Sequence, residues 1–92
     1  MNDEANFGRD VDATARIQSR ADFIGFVSWL TRDFEENRSA WENVTIENFL
    51  RGLASYLANA QGFYDTHDLK VDAELPSWRL FADALHAATV YD

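Results

Sequence analysis

Three times along this chain a serine or threonine stands just ahead of a run in which apolar residues recur at three- and four-residue steps. Such spacing lays an apolar stripe along one side of a helix, and the hydroxyl ahead of it accepts from amides that the first turn leaves unpaired. Ser19 with Asp22 opens a helix over residues 20–35, striped by Phe23, Phe26, Val27, Leu30 and Phe34. Thr45 opens a second over residues 46–60, with Val44 placed to staple against Phe49 and with Glu47 near the positive end of the dipole. Its stripe is Ile46, Phe49, Leu50, Leu53, Tyr56, Leu57 and Ala60, and Gly62 stands where a left-handed stop residue belongs. Pro76 and Ser77 open a third, with Trp78, Phe81, Ala82, Leu85, Ala88 and Thr89 on its inner face. The expected fold is a mainly α, three-helix compact domain.

Two further segments alternate apolar and polar residues in the manner of strands: Val11, Ala13, Ala15 and Ile17, then Leu69, Val71, Ala73 and Leu75. Their pairing predicts a small two-stranded β ribbon beside the helices. Residues 1–18, with Asp3, Glu4, Asp10 and Asp12 against Arg9 and Arg16, read as an acidic N-terminal arm, and residues 19–92 as the single helical domain. Gly25 interrupts the first helix at a cost of about 1 kcal/mol against alanine, which close approach of a neighbouring helix would offset. A chain of 92 residues is too short for two folded domains.

Composition removes whole classes of function. The chain has no cysteine, so disulfides, thiol nucleophiles and cysteine zinc sites are excluded. Sixteen acids against eight lysines and arginines give a net charge of −8, which opposes binding to bare nucleic acid or to an anionic membrane. The opening Met1, Asn2, Asp3 and Glu4 are acidic where a signal peptide needs a basic start, which points to a soluble cytoplasmic protein.

Nothing in the sequence forms a catalytic constellation. There is no serine elbow, no glycine-rich phosphate loop and no spaced histidine pair. Asp65, His67, Asp68 and Asp72 could supply metal ligands, yet their spacing matches neither a calcium loop nor a helical zinc motif. His86 reads as a boundary residue of the last helix. No catalytic residue, cofactor or metal is expected, and a metal-using enzyme on the 65–74 loop is the least favoured class. Trp29 falls off the main stripe of its helix, as either a packing flank or an exposed anchor for a partner, whereas Trp41 and Trp78 sit at helix starts and belong with the core.

Charge is the prominent feature. Asp33, Glu35, Glu36, Glu42 and Glu47 with only Arg38 give −4 over residues 33–47, and Asp65, Asp68, Asp72 and Glu74 with Lys70 give −3. Acids at this density keep a small protein soluble; they can also imitate the phosphates of a nucleic acid, which in duplex DNA follow one another at about 1.7 Å of axis.

The strings Trp41-Glu42-Asn43-Val44-Thr45-Ile46-Glu47-Asn48-Phe49-Leu50 and Pro76-Ser77-Trp78-Arg79-Leu80-Phe81-Ala82-Asp83-Ala84-Leu85, closing on Tyr91-Asp92, carry a resemblance. From about Ser19 to the C-terminus the chain resembles a family of small bacterial helical domains of unknown function with a W-E-N-x-T turn and a P-S-W helix start. The resemblance implies a compact, mainly helical bacterial domain and brings no catalytic residues with it. In size, charge and lack of chemistry the chain is also similar to anti-CRISPR inhibitors and to immunity proteins that neutralise nuclease toxins.

The expected function is therefore that of a non-catalytic inhibitor that binds a basic, nucleic-acid-handling protein through an acidic, nucleic-acid-mimicking surface. Asp33, Glu35, Glu36, Glu42, Glu47, Asp65, Asp68, Asp72 and Glu74 would steer association, and Trp29 or the aromatics Phe63 and Tyr64 would supply buried anchors. The alternative is a structural, self-associating helical domain, a monomer or weak homodimer without an inhibitory role.

Overall fold

A computed structural model describes residues 13–91 of the chain. Three α-helices follow in order: α1 (Arg20–Glu36), α2 (Ile46–Thr66) and α3 (Trp78–Ala88), with a single 3₁₀ turn at Arg38–Ala40 between the first two. Each helix starts where its cap lies. Ser19 accepts from Asp22 N–H, Thr45 from Asn48 N–H, and Ser77 from Leu80 N–H, each satisfying one first-turn donor. None of the three is long and apolar enough to cross a membrane.

The ribbon is not present. Residues 13–16 form a turn and 69–75 an irregular loop, and among the described residues there is no strand; the first part of the arm, residues 1–12, lies outside them. The strand-like alternation at 69–75 has a different cause. Leu69, Val71 and Ala73 tuck against the core on one side, while the amide of Gln61 on α2 plays the partner strand, donating to Val71 O (3.0 Å) and accepting from Ala73 N–H (2.7 Å). A side chain thus satisfies the backbone that a second strand would have satisfied.

α2 also runs past Gly62, which is an ordinary helical residue with open space around it. The helix stops at Asp68, the described non-glycine residue with a left-handed backbone (φ 56°). There Leu69 N–H reaches back to Tyr64 O (2.8 Å) and Asp68 N–H to Asp65 O (3.1 Å), closing two carbonyls of the last turn. Asp tolerates this conformation better than most residues because its short side chain can bond locally.

α3 lies between the other two helices, and the backbones of α1 and α2 do not approach each other. Its positions split accordingly. Ala82 packs with Ile17, Phe26 and Leu30 on the α1 side; Leu80 and Ala84 pack with Tyr56, Ala60 and Tyr64 on the α2 side. A helix covered on two sides has no single inner face, which is why Leu80 and Ala84 are buried while Phe81, expected inside, is 42% exposed. Thr14 and Ile17, from the segment expected as an arm, are 3% and 2% exposed and belong to this core.

α3 ends at Thr89 without a glycine, and its last carbonyls are capped from outside. Glu42 and Asn43 N–H both donate to Thr89 O (2.9 Å each). The Asn43 side-chain amide donates to Ala88 O and Tyr91 O, both at 2.8 Å. Gly52 makes room for this junction: a Cβ there would stand 2.6 Å from Tyr91 O, 2.9 Å from Asn43 Nδ2 and 3.0 Å from Ala88 O. The glycine that permits close approach is therefore Gly52, since a Cβ on Gly25 would meet nothing within 4 Å.

These two environments predict opposite signs for one substitution. Gly52→Ala should lower stability by about 1–3 kcal/mol, because overpacking against backbone outweighs the helix-propensity gain. Gly25→Ala and Gly62→Ala should each raise it by about 0.5–1 kcal/mol. Urea midpoints of the three variants read the difference directly.

Candidate functional site

Between α1 and the start of α2, where the two helices part around α3, the surface opens into an apolar groove of about 360 Å³. Its floor is aromatic. The Trp41 ring stacks on Phe49 (6.1 Å, 17°) and meets Phe34 edge-on (4.8 Å, 63°). Trp41 is fixed by its indole N–H, which donates to Asp33 Oδ2 (2.8 Å), while Asn37 Nδ2 donates to the other oxygen of Asp33 (3.1 Å). Val27, Leu30 and Thr31 form the α1 wall, and Val44 and Ile46 the other. Val44 and Phe49, the expected staple pair, both line it. Val44 is 49% and Ile46 72% exposed, so this wall is apolar surface left in water.

Apart from the Glu35 carboxylate, the polar groups of the groove are already used by the fold. Thr31 Oγ1 donates to Val27 O (2.9 Å), Thr45 caps α2, and Asn43 turns its amide onto α3. A small polar substrate would find no converging donors or acceptors to orient it.

The acidic residues separate into two sets at opposite ends of α2. Glu47 and Asp65 are about 27 Å apart along that helix. At the first end, Glu35, Glu36 and Glu42 are exposed, and their carboxylates form no ion pair or hydrogen bond with any described residue; Glu47 pairs with Arg51 (2.6 Å) on the surface. Asp33 differs, being half-buried and occupied by Trp41 and Asn37. At the second end, Asp65 accepts from Gln61 (3.0 Å), Asp68 lies 3.8 Å from Lys70, and Asp72 accepts from Glu74 N–H (2.9 Å). These carboxylates shape the loop that carries them. Among the described residues no group of three or more histidine, aspartate or glutamate side chains is placed to hold a metal ion.

Trp29 is a packing flank, half-buried against Phe26 (5.9 Å) and His86 (5.5 Å). Tyr64 is fully buried and Phe63 packs against the same core, so neither is an exposed anchor. The half-buried aromatic rings beside the acids are Phe34, Trp41 and Phe49, which line the groove.

A polar cluster inside the domain escaped the sequence reading. Asp83 on α3, with a side chain only 12% exposed, accepts from the hydroxyls of Thr14 and Tyr64 (2.6 Å to Tyr64), and Arg79 Nε stands 3.5 Å away. Tyr56 encloses its own hydroxyl beside that of Tyr64 without a hydrogen bond of good geometry. Burial pushes the Asp83 carboxyl above its ordinary value, against the opposing pull of its hydroxyl donors and Arg79. Burial likewise raises both phenols, that of Tyr64 reinforced by the neighbouring carboxylate. The available signal was Arg79 and Asp83 standing four apart in a helix otherwise almost wholly apolar.

Because the folded state holds the Asp83 proton more tightly than the unfolded state, its contribution is fully present below about pH 4 and is lost as pH rises to the raised folded value. Across that window the stability of Asp83→Asn should rise relative to wild type, measured by urea unfolding at successive pH values. At the alkaline end, Tyr56 and Tyr64 should ionise only as the protein unfolds, seen as coincidence of phenolate absorbance with loss of helical circular dichroism.

The model of a family described as a family of unknown function, DUF7660, matches residues 19–92. No curated protein and no solved structure matches the chain. The match starts at Ser19, the cap of α1, and takes in all three helices, the Trp41–Asn43 junction and the groove, so the chain belongs to this family of unknown function.

Proposed function

We propose that this domain is a non-catalytic interaction protein of inhibitory type, acting on a basic, nucleic-acid-handling partner through its acidic surface. The observation that carries this reading is the set of Glu35, Glu36 and Glu42, exposed around the α1–α2 junction with side chains that form no ion pair within the described chain. Carboxylates held on a helix end and a capped turn keep their spacing, so their field persists at a fixed geometry and steers a basic surface into register. Asp65, Asp68, Asp72 and Glu74 add negative potential at the far end of α2, on the length scale of several phosphates of a duplex. The kind of role is that of anti-CRISPR or toxin-immunity proteins, which occupy the nucleic-acid site of their target.

The triple variant Glu35→Lys, Glu36→Lys, Glu42→Lys tests it. Tagged wild-type protein should retain a basic nucleic-acid-binding protein from nuclease-treated bacterial lysate and release it progressively with salt. The triple variant should lose that capture while keeping its unfolding midpoint, and capture unchanged in the variant would sink the reading.

Ile46, Leu50 and Leu57, spaced along α2 and 72%, 53% and 47% exposed, favour a second reading in which two copies pair through this helix. Light scattering across a concentration series then shows a mass rising towards the dimer; a constant monomer mass excludes it.

A further inference from the structure

We infer that the groove between α1 and α2 is a docking site for a basic amphipathic helix of a partner protein. The inference rests on the acidic-surface reading for the sign of the partner's charge and adds where the partner's apolar side chains go. Three observations carry it. The groove is lined mainly by apolar side chains, with Val44 half and Ile46 largely exposed, and side chains buried there would remove that surface from water. One carboxylate, Glu35, lines it, and Glu36 and Glu42 are its exposed neighbours in the sequence of the α1–α2 junction; none of the three side chains has an ion-pair partner among the described residues. Two cations of this region are engaged elsewhere, Arg38 over the Phe34 ring at 4.2 Å and Arg51 on Glu47. A largely apolar trough with the Glu35 carboxylate in its lining, on an acidic junction, is complementary to a helix carrying leucine-like anchors on one face and lysine or arginine on the flanks.

The mode of binding follows from what the walls offer. Recognition by strand addition needs an unpaired strand edge, and the described residues contain no strand. α1 and α2 spend their backbone groups within their own ladders. What the walls present is a concave apolar surface between two helices, into which a third helix places anchors at i, i+3 or i+4, and i+7.

The probe is a synthetic leucine/lysine peptide of about 18 residues with that apolar spacing, long enough to be helical when bound. A scrambled peptide of the same composition and a leucine/glutamate peptide of the same pattern serve as comparisons. Binding is followed by calorimetry and by NMR shifts of the Trp41 indole and the amides of Val27, Val44 and Ile46. The amphipathic basic peptide should bind with shifts centred on those residues, and the scrambled peptide about tenfold more weakly or worse. Ile46→Glu and Val44→Glu, at exposed positions that leave the melting temperature unchanged, should each weaken it by about tenfold. Glu35→Lys with Glu42→Lys should weaken it and flatten its salt dependence.

If the scrambled peptide binds equally well and Ile46→Glu is silent while the charge reversal still weakens binding, the groove inference falls and the acidic surface stands. Equal binding of the leucine/glutamate peptide overturns the basic character of the occupant. If neither basic peptide binds, both readings fall. Concentration-dependent shifts at Ile46 without any peptide would assign the groove to a second copy of the chain and overturn the inference.

Discussion

One side-chain amide holds the architecture together at its narrowest point. Asn43 bridges Ala88 O and Tyr91 O while its own backbone and that of Glu42 close on Thr89 O, so the α1–α2 connection serves as the missing C-cap of α3. A buried carbonyl left without a donor costs about 1–3 kcal/mol, and three carbonyls are answered here by two residues. The closeness that this demands is set by Gly52. Because the clamp fixes Asn43, it also fixes Trp41 two residues earlier, which Asp33 holds from the α1 side. The strings around Trp41 and Ser77 thus have concrete duties in this chain: a tertiary cap, a ring seat and a helix start.

The same geometry creates the groove. With α3 wedged between α1 and α2, the two outer helices cannot cover each other's flanks, and Val27, Val44 and Ile46 face a space that no element of the described chain fills. Small side chains on α3, Ala82 and Ala84 above all, let it serve two packing partners. Exposure of Ile46 and Leu50 is the consequence at the start of α2.

Charge is partitioned between inside and outside. Asp83 is buried among hydroxyls and beside Arg79, where it ties the N-terminal turn, through Thr14, to α2 and α3. Removing one member leaves the others enclosed without a partner, which makes the cluster a determinant of structure. The carboxylates at the α1–α2 junction do the opposite: the side chains of Glu35, Glu36 and Glu42 make no hydrogen bond or ion pair within the described chain and direct their field to the solvent. Asp33 stands between the two groups, counted with the cluster by position but used internally by Trp41.

The sequence by itself determined where helices begin. Ser19, Thr45 and Ser77 act on amides three residues away, and an interaction of that range needs no knowledge of the rest of the molecule. It determined equally the helical period and the net charge. Where α2 ends was decided by tertiary structure, because Gly62 can stay helical and the stop depends on Leu69 turning into the core after Asp68. The alternation at 69–75 was legible, but its cause was Gln61, a side chain from another element. Which half of each apolar stripe is covered, and hence whether a groove exists at all, follows from α3 lying between its neighbours. Periodicity reports that a face is apolar; only the arrangement of helices decides what lies against it.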